Sequence, residues 1–224
     1  MDATLTLLRR IVRRERIMQA HRSHYYQRAA RRLGSQALPV SGEEADRLAA
    51  YLNLLARWNR VHNLTGIRDP EALIDRHLAE SLALRPLVSG DSVADIGSGA
   101  GLPGIPLAIA LPHIRFTLIE SRRKRVSFLR HVATALALAN VAVEHARAED
   151  VTAGPFATVV ARAVAAPADL IAIAEPLIAP GGRLVVLTGD AKSREIVAAA
   201  TRLRESRIPV GVQIQSRIIV LERL

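Results

Sequence analysis

The sequence predicts an α/β protein in which a doubly wound, mainly parallel sheet follows a helical amino-terminal part. From residue 43 to 87, apolar residues recur at helical spacing. After Gly90 the pattern changes to short apolar runs, each followed by a stretch of helical periodicity, which is typical of a sheet wound by helices. The 224 residues, half of them apolar, are sufficient for one domain with a large core, or for one domain with a smaller appendage.

Two helices are predicted in the amino-terminal part. Ser41, followed three residues later by Glu44, fits a capping box that opens the first helix. This helix is expected to end before Asn63-Leu64-Thr65-Gly66. The second helix is expected to begin after Asp69-Pro70, because proline suits the first turn of a helix.

Alternating strands and helices are predicted in the rest of the chain. We expect strands near 92–97, 114–120, 140–146, 157–162 and 183–188, with helices near 104–110, 122–138, 168–178 and 192–205. The apolar stretches 210–215 and 217–224 alternate weakly and predict an antiparallel pair that closes the sheet. The expected division is a basic arm over 1–37, a helical part over 38–88 and an α/β domain over 89–224.

The arm 1–37 contains nine arginines and only two acidic residues, Asp2 and Glu15. The whole chain has a formal net charge of +10, so the arm carries most of the excess. A polyanion such as RNA would bind this arm with release of counterions. The alternatives are a solvated helix, an organellar targeting segment and a helix on a membrane surface. Met18 lies within the arm and is an alternative start of the chain.

Composition excludes several classes of protein. The chain has no cysteine, which excludes disulfides, thiolate metal sites and cysteine nucleophiles. Its seven histidines show no metal-ligand spacing, and we predict no metal site. No apolar run approaches the roughly 20 residues that cross a bilayer. We expect a cytoplasmic protein without membrane contact, and we expect a monomer.

A glycine loop, Asp95-Ile96-Gly97-Ser98-Gly99-Ala100-Gly101, follows the first predicted strand. In a doubly wound sheet this turn is the natural ligand site, because strand ends and a helix amino terminus meet there. The glycines leave room where a ligand approaches the backbone. The run 99–104 also matches the dinucleotide pattern GxGxxG, but Asp95-Ile96-Gly97-Ser98 separates it from the strand.

Asp95 favours S-adenosylmethionine over a nicotinamide dinucleotide as the ligand of this loop. A carboxylate suits the ammonium group of the methionine moiety, directly or through water, whereas it would repel a pyrophosphate. Glu120, which ends the second strand, can accept hydrogen bonds from both ribose hydroxyls of an adenosine, or it is simply an exposed charge. Ala148-Glu149-Asp150 follows the third strand, where a loop closes over adenine in this architecture, although a helix cap fits the spacing equally well.

The residue types that are absent from this chain limit which atom of a nucleotide it is expected to methylate. Methylation of a pyrimidine carbon usually needs a cysteine nucleophile. Methylation of an exocyclic amine typically uses an Asn/Asp-Pro-Pro-aromatic turn after the fourth strand, where this chain has Ala161-Arg162-Ala163-Val164. A ring nitrogen such as guanine N7 needs alignment and no strong base, so no catalytic base is predicted. Arg162 could hold a carboxylate, a phosphate or guanine O6, and a structural salt bridge is the alternative.

A second basic cluster, Arg122-Arg123-Lys124-Arg125, opens the helix after Glu120. Positive charge at a helix amino terminus opposes the helix dipole, so the cluster indicates an external partner. Phosphate is the simplest such partner, and we predict that these four residues bind RNA.

The glycine loop and its flanks resemble one family closely. The run Asp95-Ile96-Gly97-Ser98-Gly99-Ala100-Gly101-Leu102-Pro103-Gly104-Ile105-Pro106-Leu107 is similar to the bacterial 16S ribosomal RNA guanine-N7 methyltransferase G family, also called glucose-inhibited division protein B. The resemblance covers roughly residues 42–224. Supporting matches are Trp58-Asn59, Asn63-Leu64-Thr65, Arg68-Asp69-Pro70, Arg76-His77, Lys124-Arg125-Val126, Phe128-Leu129 and Arg162-Ala163.

This resemblance implies a Rossmann-like class I S-adenosylmethionine-dependent methyltransferase. Its implied substrate is a guanine, methylated at N7, in the loop of 16S ribosomal RNA near the decoding site; free RNA, an assembly intermediate and the finished small subunit all remain open. Family members often have Lys-Gly after the fifth strand, where this chain has Thr188-Gly189, with Lys192 as a candidate substitute. The cofactor-binding positions that the resemblance implies are Gly97, Leu102, Ala148, Glu149 and Arg162, with Glu120 near the ribose. Asp95 is a further predicted cofactor contact, which follows from the charge argument above and not from the resemblance.

The residues alone leave other functions open. One is an S-adenosylmethionine enzyme acting on another RNA, a protein or a small molecule. Another is a nicotinamide-dependent oxidoreductase. A non-enzymatic RNA-binding module is the third, but it gives the glycine loop and Glu120 no role.

Overall fold

The structure is a computed structural model that describes residues 40–66, 74–162, 166–206 and 216–224. Three predicted features lie outside the described residues. They are the basic arm 1–37, the start of the second helix after Asp69-Pro70 and the strand 210–215.

Seven strands and six helices are assigned in the described residues. The strands are β1 Ser92–Ile96, β2 Arg115–Ile119, β3 Val141–Glu144, β4 Phe156–Arg162, β5 Ile178–Thr188, β6 Leu203–Ser206 and β7 Arg217–Arg223. The helices are α1 Gly42–His62, α2 (a π-helical turn Ile74–Ala79 continued by the α-helical turn Glu80–Leu82), α3 Gly104–Ala110, α4 Arg123–Ala135, α5 Pro167–Ala174 and α6 Asp190–Ala199. Short 3-10 turns occur at Arg85–Leu87, Ala148–Asp150 and Glu175–Leu177.

Helix α1 begins and ends where the sequence predicts. The Ser41 hydroxyl accepts a hydrogen bond from the Glu44 backbone N–H at 3.2 Å, and the Glu44 carboxylate accepts one from the Ser41 N–H at 3.4 Å. This reciprocal pair is the predicted capping box. The helix ends at Asn63, whose φ of 48° turns the chain in the left-handed region.

The strands form one sheet in the order β3-β2-β1-β4-β5-β7-β6. Strands β1 to β5 run parallel to their neighbours in that set, while β7 is antiparallel to both β5 and β6. The strand order reverses between β1 and β4, and ligands of such sheets bind in the crevice at the carboxyl ends of the strands there. The predicted doubly wound α/β fold is therefore confirmed.

Helices cover both faces of the sheet. On one face, a buried cluster joins α1, α3 and α4 to the sheet through residues such as Leu52, Ile105, Leu118 and Phe128. On the other face, α5 and α6 pack on alternate strand residues such as Ala94 and Val159. Because α1 shares a core with α3 and α4, the helical part packs directly against the α/β domain.

The predicted helix 192–205 is wrong beyond Ala199. Helix α6 ends there, and Leu203–Ser206 forms the edge strand β6. Only Leu203 of this strand is buried, so its sequence carries no alternation of apolar and polar residues. Strand β7 is antiparallel as expected, but its partners in the described residues are β5 and β6.

The predicted helix 168–178 is also too long, because α5 ends at Ala174 and β5 already begins at Ile178. The pairing of β5 with β4 is irregular near Phe156. The run Pro180-Gly181-Gly182 lowers the strand propensity of β5, so the sequence does not indicate that the strand begins before residue 183.

Candidate functional site

A cavity of about 490 Å³ lies at the carboxyl ends of β1, β2 and β4. The glycine loop, the residues that follow β2 and the end of β4 form its walls, and the segment after α1 contributes Leu64 and Thr65. Topology thus brings together residues that are distant in sequence. The predicted site residues that line it are Gly97, Leu102, Glu120, Arg122, Arg125 and Arg162.

The glycine loop adopts a backbone that favours glycine. Gly97, Gly99 and Gly101 have φ angles of 64°, 57° and 87°, in the left-handed region. Gly104 meets a different constraint, because a Cβ atom there would lie 2.6 Å from Asp95 Oδ2. The loop can therefore turn sharply over Asp95 and keep its backbone open to the cavity.

Asp95 is fully buried beneath this loop. Its Oδ2 accepts a hydrogen bond from the Gly104 N–H at 3.1 Å, and its Oδ1 has no hydrogen-bond partner among the described residues. Burial raises the pKa of the carboxyl to about 7, and the hydrogen bond from Gly104 opposes this rise. Asp95 does not itself line the cavity, so its direct contact with an ammonium group stays a prediction.

Glu120 follows β2 and is only 4% exposed, so the alternative of an exposed terminal charge is wrong. Its Oε2 accepts a hydrogen bond from the Gly99 N–H at 2.9 Å, and its Oε1 accepts one from the Arg122 N–H at 2.8 Å. Arg125 Nη1 lies 3.6 Å from Oε2. Since each carboxylate oxygen has two lone pairs, both oxygens can still accept a ligand hydroxyl.

Tyr51 ties helix α1 to the glycine loop. Its side chain is fully buried, and its hydroxyl donates a hydrogen bond of 2.8 Å to the carbonyl oxygen of Ala100. Burial raises the pKa of this hydroxyl above its usual range, so the group remains a donor.

Arg162 forms the structural ion pair that was one of the alternatives for it, and it also lines the cavity, where its ligand role stays a prediction. Its Nη2 lies 3.5 Å from Oε2 of the buried Glu80, which makes it one partner of a structural ion pair. Ser216 donates a hydrogen bond of 2.7 Å to the other oxygen of Glu80. The Arg162 side chain nevertheless remains 21% exposed and lines the cavity, so the pair fixes a guanidinium at the cavity wall.

The helical part contributes two more polar groups to the cavity wall. Thr65 Oγ1 lies 2.8 Å from His77 Nε2, and the Thr65 N–H donates a 2.8 Å hydrogen bond to Asn59 Oδ1. His77 lies on the π-helical turn of α2 and is buried. Such turns are frequent at functional sites.

Besides Asp95, four predicted residues lie outside the cavity lining. Ala148 and Glu149 lie on the 3-10 turn after β3, while Arg123 and Lys124 are exposed on the first turn of α4. Their roles in binding cofactor and RNA stay predictions. Within the same basic cluster, Arg125 forms an ion pair with Glu120, so its positive charge has a partner within the protein.

Sequence reasoning missed Tyr51 and Glu80. Tyr51 falls in the apolar stripe of α1, and nothing in the sequence indicates the partner of its hydroxyl. Glu80 did carry a signal, because it is an acidic residue between Leu78 and Leu82 on a largely apolar helix.

In the part of the chain that the structure describes, no group of three His, Asp or Glu side chains is arranged to hold a metal ion. The expected lack of a metal stays a prediction. No helix in that part has the length and apolar character to span a bilayer.

Several solved structures similar to this chain are methyltransferases. A SAM-dependent methyltransferase from Aquifex aeolicus superimposes with a TM-score of 0.56 at 15% identity, covering 76% of this chain and 98% of that one. The O-methyltransferase TomG from Streptomyces achromogenes, solved in complex with SAM, gives 0.52 at 20% identity, covering 77% and 89%. At these identities the likeness shows the class I methyltransferase fold.

Sequence relatives are much closer. The ribosomal RNA small subunit methyltransferase G of Leptothrix cholodnii is 43% identical over 173 residues, which cover 74% of this chain and 79% of the relative. That of Alkalilimnicola ehrlichii is 46% identical over 168 residues, covering 75% and 76%. The family model described as rRNA small subunit methyltransferase G matches residues 44–214. The glycine loop, its carboxylates and these matches together place the chain in the rRNA small subunit methyltransferase G family, and the resemblance noted from its motifs is confirmed.

Proposed function

We propose that this chain transfers the methyl group of S-adenosylmethionine to N7 of a guanine in 16S ribosomal RNA. Membership in the rRNA small subunit methyltransferase G family supports both the cofactor and the RNA substrate. The structural observation that carries the proposal is the carboxylate of Glu120, held at the cavity wall by the backbone N–H groups of Gly99 and Arg122.

The residues around the cavity fit the cofactor. Glu120 offers two carboxylate oxygens for the ribose hydroxyls, and Gly97 and Leu102 border the space for the methionine moiety. The buried Oδ1 of Asp95 offers an acceptor and a negative charge for the ammonium group, directly or through water. Ala148 and Glu149 are the proposed contacts at the adenine.

The bound cofactor supplies an electrophilic methyl group on a sulfonium centre. Guanine N7 already has a lone pair and no proton, so the protein needs no general base and acts by alignment. Arg162 is proposed to orient a carboxylate, a phosphate or guanine O6, because Glu80 restricts its rotamers. Arg122, Arg123, Lys124 and Arg125 are proposed to contact RNA phosphates.

The proposal also includes the location of the protein, its oligomeric state and its division into parts. An rRNA substrate supports action in the cytoplasm, on 16S RNA or the small subunit. We propose a monomer because Val61 and Leu224 are the only large exposed hydrophobic residues among those described, which leaves no broad apolar patch there. The proposed division remains the arm 1–37, the helical part 38–88 and the methyltransferase domain 89–224.

Mapping of N7-methylguanine in 16S rRNA from cells with and without the protein tests the proposal. We expect one modified guanine that depends on the protein. An identical modification pattern in the two samples would rule out the assigned target.

The Glu120→Gln variant tests the cofactor site. One of its carboxylate oxygens becomes an amide NH₂ that cannot accept from a backbone N–H or from a ribose hydroxyl. We expect the Kd for S-adenosylmethionine to rise about 10-fold or more, as for the loss of a charged hydrogen-bond acceptor. Glu144→Gln is the matched control, because Glu144 ends the neighbouring strand β3 in an exposed position. Equal affinities in the two variants would contradict the role of Glu120.

A further inference from the structure

A second concave surface lies beside the cofactor cavity, on the outer side of α1 and α4. It encloses about 330 Å³ and centres on Trp58. The Trp58 ring centroid lies 5.2 Å from that of His62 and 5.6 Å from that of His131. Leu54, Arg57, Arg60 and Val61 complete its lining. We refer to these seven residues as the Trp58 surface.

The Trp58 surface belongs to a strongly cationic region. The segments 47–66 and 121–143 contain three and five Lys or Arg residues and no Asp or Glu. They meet where Trp58 packs on Phe128 at a centroid distance of 5.4 Å. The acid-free segments of α1 and α4 thus combine aromatic rings with arginines, which is the chemistry that binds single-stranded nucleic acid, whereas the acidic residues of α1 all lie before residue 47.

The Trp58 surface also adjoins the cofactor cavity. His62 lines the surface, and Leu64 and Thr65, two and three residues further along the same turn, line the cavity. On α4, Arg125 lines the cavity and His131 lines the surface. Six residues of helix separate these two positions by about 9 Å. A nucleotide next to a base bound in the cavity would therefore lie within reach of Trp58.

We propose that the Trp58 surface binds an unpaired nucleotide of the substrate RNA next to the target guanine. Its base stacks among Trp58, His62 and His131, and its phosphate is held by Arg57 and Arg60. The small volume favours a single base over a double helix, and stacking requires a base that is free of its pairing partner. This inference rests on the proposed function, which supplies the RNA.

Intrinsic fluorescence tests the stacking directly, because Trp58 is the only tryptophan of the chain. The full chain, saturated with S-adenosylhomocysteine, is titrated with single-stranded polyadenylate and, separately, with inorganic polyphosphate. We expect polyadenylate to quench the emission and polyphosphate, which has charge but no bases, to leave it nearly unchanged. Binding of polyadenylate without quenching, or equal quenching by both polymers, would overturn the proposal.

Variants separate stacking from structural packing. Because Trp58 also packs on Phe128, both Trp58→Leu and Trp58→Phe are examined. We expect Trp58→Leu to weaken RNA binding about 10-fold and to raise KM with little change in kcat, and Trp58→Phe to recover most of the affinity. If Trp58→Leu binds RNA as the parent does, or if Trp58→Phe is equally impaired, stacking is not the role of this ring.

The phosphate contacts are tested by charge removal. We expect the double variant Arg57→Ala, Arg60→Ala to lose about 10-fold in RNA affinity at low salt. The matched control removes Arg202 and Arg204, whose side chains are 82% and 68% exposed at the far edge of the sheet. Equal losses in both double variants would show a nonspecific charge effect and overturn the proposal.

The proposed function and this inference fail in different ways. A normal N7-methylguanine map together with any of these contrary results refutes this inference alone and leaves the proposed function intact.

Discussion

The charge of Asp95 depends on its burial. Burial raises the pKa of this carboxyl from 3.8 to about 7. The folded protein therefore holds the proton more tightly than the unfolded chain between about pH 4 and pH 7. Unfolding releases the proton in this window, so the free energy of unfolding falls as the pH rises through it.

We predict that Asp95→Asn removes this pH dependence. The raised pKa of Asp95 corresponds to a loss on the order of 4 kcal/mol in the free energy of unfolding across the window. Asparagine keeps a carbonyl oxygen for the Gly104 N–H but cannot ionise. Urea unfolding at several pH values measures the slope. Asp91→Asn, an exposed substitution just before the same strand, should keep the parental slope. If both variants behave like the parent, another group causes the dependence.

The site residues that the sequence predicted share one property. Glu120 and Arg162 end strands, and a parallel sheet brings the carboxyl ends of its strands to one edge, so their proximity follows from topology. Tyr51 and Glu80 act through partners that are remote in sequence, Ala100 and Arg162. No local pattern indicates such pairs, because they depend on how α1 and α2 pack on the glycine loop and β4.

At the scale of elements, α1 and the glycine loop form one unit. The Tyr51 hydroxyl provides the Ala100 carbonyl with a buried hydrogen bond, and the neighbouring Gly99 N–H is bound by Glu120. The loop is thus held from the helical side by Tyr51 and from the sheet side by Glu120. We therefore expect its conformation to depend on both contacts.

We predict that Tyr51→Phe weakens cofactor binding through the position of the loop. The Ala100 carbonyl would lose its buried donor, at a cost of about 1–2 kcal/mol in the free energy of unfolding. We expect the Kd for S-adenosylmethionine to rise about fivefold, measured by calorimetry, since the loop becomes less well ordered. An unchanged Kd would show that the hydrogen bond stabilises the fold alone.

Asn140→Ala is the control for stability. The Asn140 amide donates to the carbonyl oxygens of Ala108, Leu111 and Ile114, at the end of α3 that is remote from the glycine loop. This variant should be destabilised by a comparable amount and should keep the parental Kd. A raised Kd in both variants would assign the effect to general destabilisation.

The elements themselves were predictable to different degrees. Strands β1, β2 and β4 are short apolar runs because they are covered on both faces, and this pattern is clear in the sequence. Strand β6 lies at the edge and buries only Leu203, so its sequence is not distinguished from a continuation of α6. The antiparallel position of β7 between β5 and β6 depends on long-range pairing, which local periodicity does not report.

At the scale of the whole molecule, positive charge is concentrated in a few segments that all precede residue 144. Residues 144–224 contain ten Lys or Arg residues and nine Asp or Glu residues, which nearly balance. The excess lies in the arm 1–37 and in the acid-free segments 47–66 and 121–143. The last two segments lie on the side of the sheet that carries α1 and α4, so a polyanion is expected to approach from there.

We predict that a chain lacking residues 1–37 binds rRNA more weakly, with a smaller dependence on salt. Each lost phosphate contact should reduce the slope of log K against log salt by roughly 0.7 to 0.9. Loss of three contacts would therefore lower the slope by about 2 to 3, while the Kd for S-adenosylmethionine stays the same. A chain that begins at Met18 keeps four of the nine arginines and should give an intermediate slope.

A full-length variant with the nine arginines replaced by glutamine separates the effect of charge from that of chain length, and its slope should match that of the truncated chain. Identical slopes for the parent and the truncated chain would mean that the arm contacts no phosphate, which would favour its reading as a solvated or targeting segment.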